Sequence, residues 1–208
     1  MTGPASAQQA NLSLASPAAS LSAQVREATA DLHAEIEKKL RLPHSIETLA
    51  QYKTCLTRFY TLYRPLEARL AQFHEWPLFG FDLAASRHTP SLVSDLEVLG
   101  CGPELLPDLP PGSLPELATF PQALGALYVL EGSTLGSTVI LKFLSSSLGA
   151  QIAGADHFFR SRGKETYPHW SHFSQTLNSY GEDHPDSAQQ VILGARTTFR
   201  AIGDWMET

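Results

Sequence analysis

Three observations predict an all-α, single-domain fold for this chain of 208 residues. Apolar residues recur at three- and four-residue spacing through most of its length, the mark of amphipathic helices. No segment alternates apolar and polar residues over several strands, which leaves no case for a sheet. A hydrophobic content of 43 %, with no repeat and no linker long enough to split the chain, suits one core of ordinary size.

Residues 1–20 are rich in Ala, Ser, Pro and Gln and lack the basic segment and apolar core of a secretory signal. They read as a disordered tail, with the domain over 21–208. Ser22 is a candidate N-cap for a first helix that ends by Pro43, and Ser45 for a second over 46–63, with Glu47 and Glu67 bracketing a kink at Pro65. Trp76-Pro77 and Gly80 mark a loop over 75–85. A short helix over 90–100 stops at Gly100, and 101–115 is a proline-rich connector. A long helix over 121–148 is closed by Gly149. Two more helices fit 167–180 and 187–206, separated by Gly181-Glu-Asp-His-Pro185.

Acidic residues outnumber basic ones for a net charge of −6, and no basic run interleaves with aromatics. That argues against nucleic acid or an anionic membrane as partner. No uninterrupted apolar run approaches the length of a membrane span. Cys55 and Cys101 belong to no metal or haem-attachment pattern and read as reduced thiols of a cytoplasmic protein. Gly132-Ser133-x-x-Gly136 has the wrong spacing for a nucleophile elbow, and no phosphate-binding or dinucleotide loop occurs. His169 and His172 stand at i and i+3, either as a metal pair or as polar residues of an exposed helix face.

The long helix carries glycines that each cost roughly 0.5–1 kcal/mol relative to alanine. On a continuous helix Gly125, Gly132, Gly136 and Val139 fall within about 60° of one another. Such a face suits either close helix packing or a flat ligand approaching the backbone.

In the first helix the apolar stripe is Val25, Ala28, Leu32, Ile36 and Leu40, flanked by Arg26, His33 and Glu37. Glu37 is one turn from His33 and can fix its tautomer as a metal ligand. Arg26 precedes His33 by about 10.5 Å along the axis, roughly the distance from a haem iron to its propionates. A neutral imidazole for iron and a guanidinium for a carboxylate are what haem b would need.

Arg26-Glu-Ala-Thr-x-x-Leu-His33-x-x-x-Glu37 resembles the proximal helix of the haem oxygenases. Gly125-Ala-Leu-Tyr-Val-Leu-Glu-Gly-Ser-Thr-Leu-Gly136 is similar to the distal helix of their bacterial members, in particular those that accompany bacteriophytochromes. Weaker echoes are Phe59 through Leu66, Asp95-Leu-x-x-Leu-Gly100, Phe158-Phe159 and Trp170-x-x-Phe173. The resemblance implies a haem-oxygenase-like helical fold in which haem is both substrate and cofactor. It is cleaved with O2 and electrons from an external donor, such as a ferredoxin or a reductase, to biliverdin, CO and Fe2+. Attack at the alpha position is the family default, and the biliverdin would supply a bacteriophytochrome, or the iron be recovered.

By the same resemblance His33 is the axial ligand, Glu37 its partner and Arg26 a propionate contact. Gly132, Ser133 and Gly136 form the bent distal wall, with ordered water as the proton source. Lys142, Arg41 and Arg162 are further propionate candidates. Ser137 stands where many relatives have a second glycine, and Ser133 near an aspartate of the animal enzymes. The other reading is a haem-binding or haem-oxygenase-like interaction protein without turnover.

Overall fold

The computed structural model describes residues 19–102, 106, 108, 110 and 113–207, and among them every regular element is helical. The expected tail falls outside the described residues but for Ala19 and Ser20, as does part of the proline-rich connector.

Helix α1 spans Leu21–Leu40 and starts after Ser20, not Ser22. It buries Leu21, Val25, Thr29 and Leu32. Thr29 joins the buried face because its hydroxyl donates back to the Val25 carbonyl at 2.8 Å and so hides its polarity. Arg41, at φ 48°, ends the helix and returns its N–H to Glu37 O.

Helix α2 spans Leu49–Leu70 and opens at Thr48, whose side chain forms a capping box with Gln51. Ser45 instead closes the preceding turn by donating to Leu40 O at 2.8 Å. Pro65 lies inside α2 without ending it. Its cost of roughly 3 kcal/mol is met by Leu66 and Leu70 beyond the expected end, each buried for about 1.5–3 kcal/mol.

The expected loop after α2 contains a short helix α3, Trp76–Phe79, and a 3-10 turn Ala84–Ser86. Aromatic packing makes it ordered: Trp76 and Phe79 each meet Phe120 edge-on, and the Trp76 indole donates to Leu70 O. Helix α4, Thr89–Val98, is capped from α2, because the buried Glu67 carboxylate accepts from the backbone N–H groups of His88 and Thr89.

The predicted long helix is three pieces: α5 (Phe120–Ser133), a 3-10 turn (Thr134–Gly136) and α6 (Ser137–Leu148). Ser133, Thr134 and Ser137 each donate a hydroxyl to the carbonyl three residues back, at 2.6–2.7 Å. Three such bonds in five residues tighten the helix into a 3-10 turn. Taken together Phe120–Ile152 is long enough for a membrane span, and its most apolar window has a mean hydropathy of 1.4, but 56 % of that window is buried inside the protein. It is a core helix.

Helix α7, His157–Arg160, is capped by buried Asp95 of α4, whose carboxylate accepts from the N–H groups of His157 and Phe158. Helices α8 (Thr166–Asp183) and α9 (Ala188–Glu207) complete the bundle. α9 is its spine: α5 and α1 both pack on it. A Cβ at Gly125 would lie 1.9 Å from Val191 O, and one at Gly194 2.0 Å from Gln122 O, so only glycine allows the α5–α9 approach.

Candidate functional site

Because α1 leans on α9, it keeps an outer face that the bundle does not cover, whereas α5 is buried from Gln122 to Glu131 and opens only at the bend. On α1 that face presents Arg26, His33 and Glu37, all exposed. The His33 side chain is 60 % exposed, its Nδ1 3.7 Å from the Glu37 carboxylate, and its ring meets Phe199 of α9 edge-on at 5.9 Å. The imidazole is thus supported from behind and open in front.

Arg26 lies within electrostatic reach of Tyr128 on α5, where burial pushes the phenol pKa up and the guanidinium draws it partly down. One residue of the proximal motif thereby communicates with the other long motif. At the far end the His44 ring, beyond the C-terminus of α1, meets Phe143 of α6 edge-on at 4.7 Å. The region of α1 is thus linked to the bent helix near both of its ends.

The single bare face expected for the glycines is split three ways: Gly125 and Gly132 of α5 meet different helices, and the 3-10 turn shifts the phase at Gly136. Gly125 is a packing seam against α9. The bare side of Gly132 meets the Trp170 ring at 3.5 Å, an ordinary contact. Only Gly136 opens onto space, with nothing within 4 Å of its would-be Cβ. Beside it Leu135, Val139 and Phe143 remain exposed, Val139 at 70 %. Ser133 is exposed at the bend, and its Oγ lies 3.2 Å from the Tyr63 hydroxyl.

Of the further basic candidates, Lys142 and Arg41 are exposed. Arg162 is engaged elsewhere: it stands 3.5 Å from the Glu131 carboxylate and donates to Ala85 O, so its expected place at a propionate is corrected. His169 and His172 do not act as a pair. The Nε2 of His169 lies 3.2 Å from both Glu131 and Ser86, while His172 stacks on Phe81. Sequence reasoning passed over Glu131, Tyr63 and His88. The available signal was a lone carboxylate in the apolar run Ala126-Leu-Tyr-Val-Leu-Glu131, which needs a buried partner from elsewhere in the fold.

An open imidazole, an adjacent guanidinium and an exposed apolar wall beside a side-chain-free position fit a flat, apolar, carboxylate-bearing macrocycle. A family model described as "Heme oxygenase" matches residues 19–104 and 116–208. The chain belongs to the haem oxygenase family.

A haem oxygenase is an oxidoreductase that degrades haem, with haem as substrate and O2 and a reductant as co-reactants. The fold agrees. The NO- and CO-bound haem oxygenase from Neisseria meningitidis superposes with a TM-score of 0.74 over 91 % of each chain, at 20 % identity. No curated protein sequence matches this haem oxygenase.

Proposed function

We propose that the cleft between α1 and the bent α5–α6 segment binds haem b and that the chain opens it to biliverdin, CO and Fe2+. The reading is supported by an exposed, Phe199-backed His33 on α1 and by a position at Gly136 of the bent segment that is open to space. His33 would hold the iron through Nε2, with the Glu37 carboxylate 3.7 Å from its Nδ1 and in place to orient the ring. Arg26 takes a propionate. Bound haem supplies the iron that activates O2. The side-chain-free position at Gly136 would leave room for the macrocycle and for O2, while Gly132, covered by Trp170, would shape the bend from behind.

The alpha-meso carbon is the proposed point of attack, and Lys142 and Arg41 remain candidates for the second propionate. The electrons come from an external protein donor, a ferredoxin or a reductase. The biliverdin supplies a bacteriophytochrome chromophore or, alternatively, the iron is the useful product. The cytoplasm is the proposed compartment.

Reconstitution with haemin followed by single-turnover spectroscopy tests the reading. A Soret band that bleaches under reductant and O2 while a biliverdin spectrum grows is the expected result. A stable haem complex that never bleaches would sink it.

A further inference from the structure

A second pocket opens between α2, α5 and the segment that leads into α4. It has a volume of about 250 Å3 and aliphatic walls: Leu70 and Ala71 at the end of α2, Leu83 and Ala84 at the 3-10 turn, Leu127 and Leu130 of α5. At 100° per residue both α5 leucines lie about 100° or more round the helix from Tyr128, the residue that Arg26 reaches. Haem binding on α1 does not use this pocket.

Its outer wall is pinned. Arg162 donates to Ala85 O at 3.0 Å, the Ala85 N–H donates to the Asp82 carboxylate at 3.1 Å, and the Ser86 hydroxyl donates to Asp82 O at 3.0 Å. The pocket is therefore formed before any guest arrives.

Glu67 and Arg87 make its polar end. Oε1 of the buried Glu67 carboxylate accepts from the His88 N–H at 2.6 Å and the Thr89 N–H at 3.3 Å, while Oε2 accepts from the Arg87 Nε at 3.4 Å. Both oxygens are engaged, so nothing favours a cation. The guanidinium is held by one edge, whereas its Nη1 and Nη2 groups have no hydrogen-bond partner among the described residues. An arginine already fixed in place gives up little further freedom on taking an anion, and its planar donors match a carboxylate.

We propose that this pocket binds a short aliphatic monocarboxylate, with the carboxylate on the free edge of Arg87 and the chain along the leucines of α2 and α5. Size sets the length. At about 30 Å3 for each water-sized unit, the 250 Å3 pocket takes a guest of about eight heavy atoms, as in hexanoate. No aromatic ring lines it, so the chain is held by burial and not by stacking. The Glu67 charge does not repel the guest unopposed, because Arg87 and the N-terminus of α4 offset it.

The test uses the haem-free whole chain, isotopically labelled and titrated with hexanoate while its amide spectrum is recorded. Hexylamine, a cation with the same alkyl chain, is the control. Saturable shifts at millimolar hexanoate are expected at residues 67–71, 83–88 and 127–130 and at the Arg87 Nε–H, with none from hexylamine. Arg87→Gln should weaken hexanoate about ten-fold or more, through loss of a charge-assisted contact. Ala71→Phe, at an exposed position, should abolish binding by filling the pocket. Thermal melts check folding, and Arg87→Gln serves if Ala71→Phe is unstable.

Equal shifts with hexylamine overturn the proposal, as does undiminished binding in either folded variant. Shifts centred on Arg26, or shifts that spread over surface cations without saturating, overturn it as well. So does a spectrum that hexanoate leaves unchanged at tens of millimolar. A chain that takes up no haemin but binds hexanoate in this way leaves the proposal standing and overturns the haem-degrading function alone.

Discussion

Gly125 brings α5 so close to α9 that its missing Cβ would stand 1.9 Å from the Val191 carbonyl oxygen, whereas Gly136, on the same predicted face, has nothing within 4 Å. Backbone cannot yield as a side-chain end can. Gly125→Ala is therefore expected to cost about 3 kcal/mol or more, read as a lower urea midpoint. Gly136→Ala should leave stability unchanged or raise it by up to about 1 kcal/mol. Equal effects at the two positions would mean that they share an environment after all.

Gly136→Leu separates packing from function. The haem-free protein should melt normally, since the new side chain enters open space. Haemin should still bind through His33, while biliverdin formation collapses because the leucine occupies the oxygen side. Normal product yield from a folded variant would place Gly136 away from the reacting centre.

His33→Ala removes an exposed ring, so the fold should persist. Haemin affinity and turnover should both fall, with added imidazole restoring part of the activity. Wild-type turnover without imidazole would exclude His33 as the sole productive ligand.

Arg26→Ala should weaken haemin binding by about ten-fold, the worth of one charge-assisted carboxylate contact in a partly exposed site. The biliverdin isomer mixture should broaden as the macrocycle loses one of its orienting contacts. No change in either quantity would remove Arg26 from the propionate site.

Burial holds the His88 pKa below its ordinary 6.5, although Glu131 and Glu67 pull the other way. In the unfolded chain the ring binds a proton more readily than in the folded one, so stability attributable to His88 is present above about 6.5 and lost as pH falls below it. A single group of this kind gives a slope of up to about 1.4 kcal/mol per pH unit. Urea unfolding at a series of pH values should show less acid destabilisation in His88→Gln than in wild type. Parallel curves would show that His88 carries its proton equally in both states.

The helical class, the placing of the main helices and the exposed trio Arg26, His33 and Glu37 were all legible in the sequence, because each depends on spacing along a single helix. Side chains one turn apart on α1 meet whatever else the chain does. The boundaries that moved did so where distant residues intervened. Pro65 is tolerated for the core contacts of Leu66 and Leu70, α4 is capped by Glu67 from another helix, and α3 is held by Phe120.

Tertiary structure alone decided which glycine was a seam and which an opening, since that depends on where α9 lies and on the local 3-10 turn that breaks the phase of the long helix. It alone also gathered Glu131, His169, Arg162, His88 and Tyr63, drawn from four parts of the chain, behind one bend. A buried charge can be suspected from a lone carboxylate in an apolar run, but its partners are chosen by packing and not by spacing.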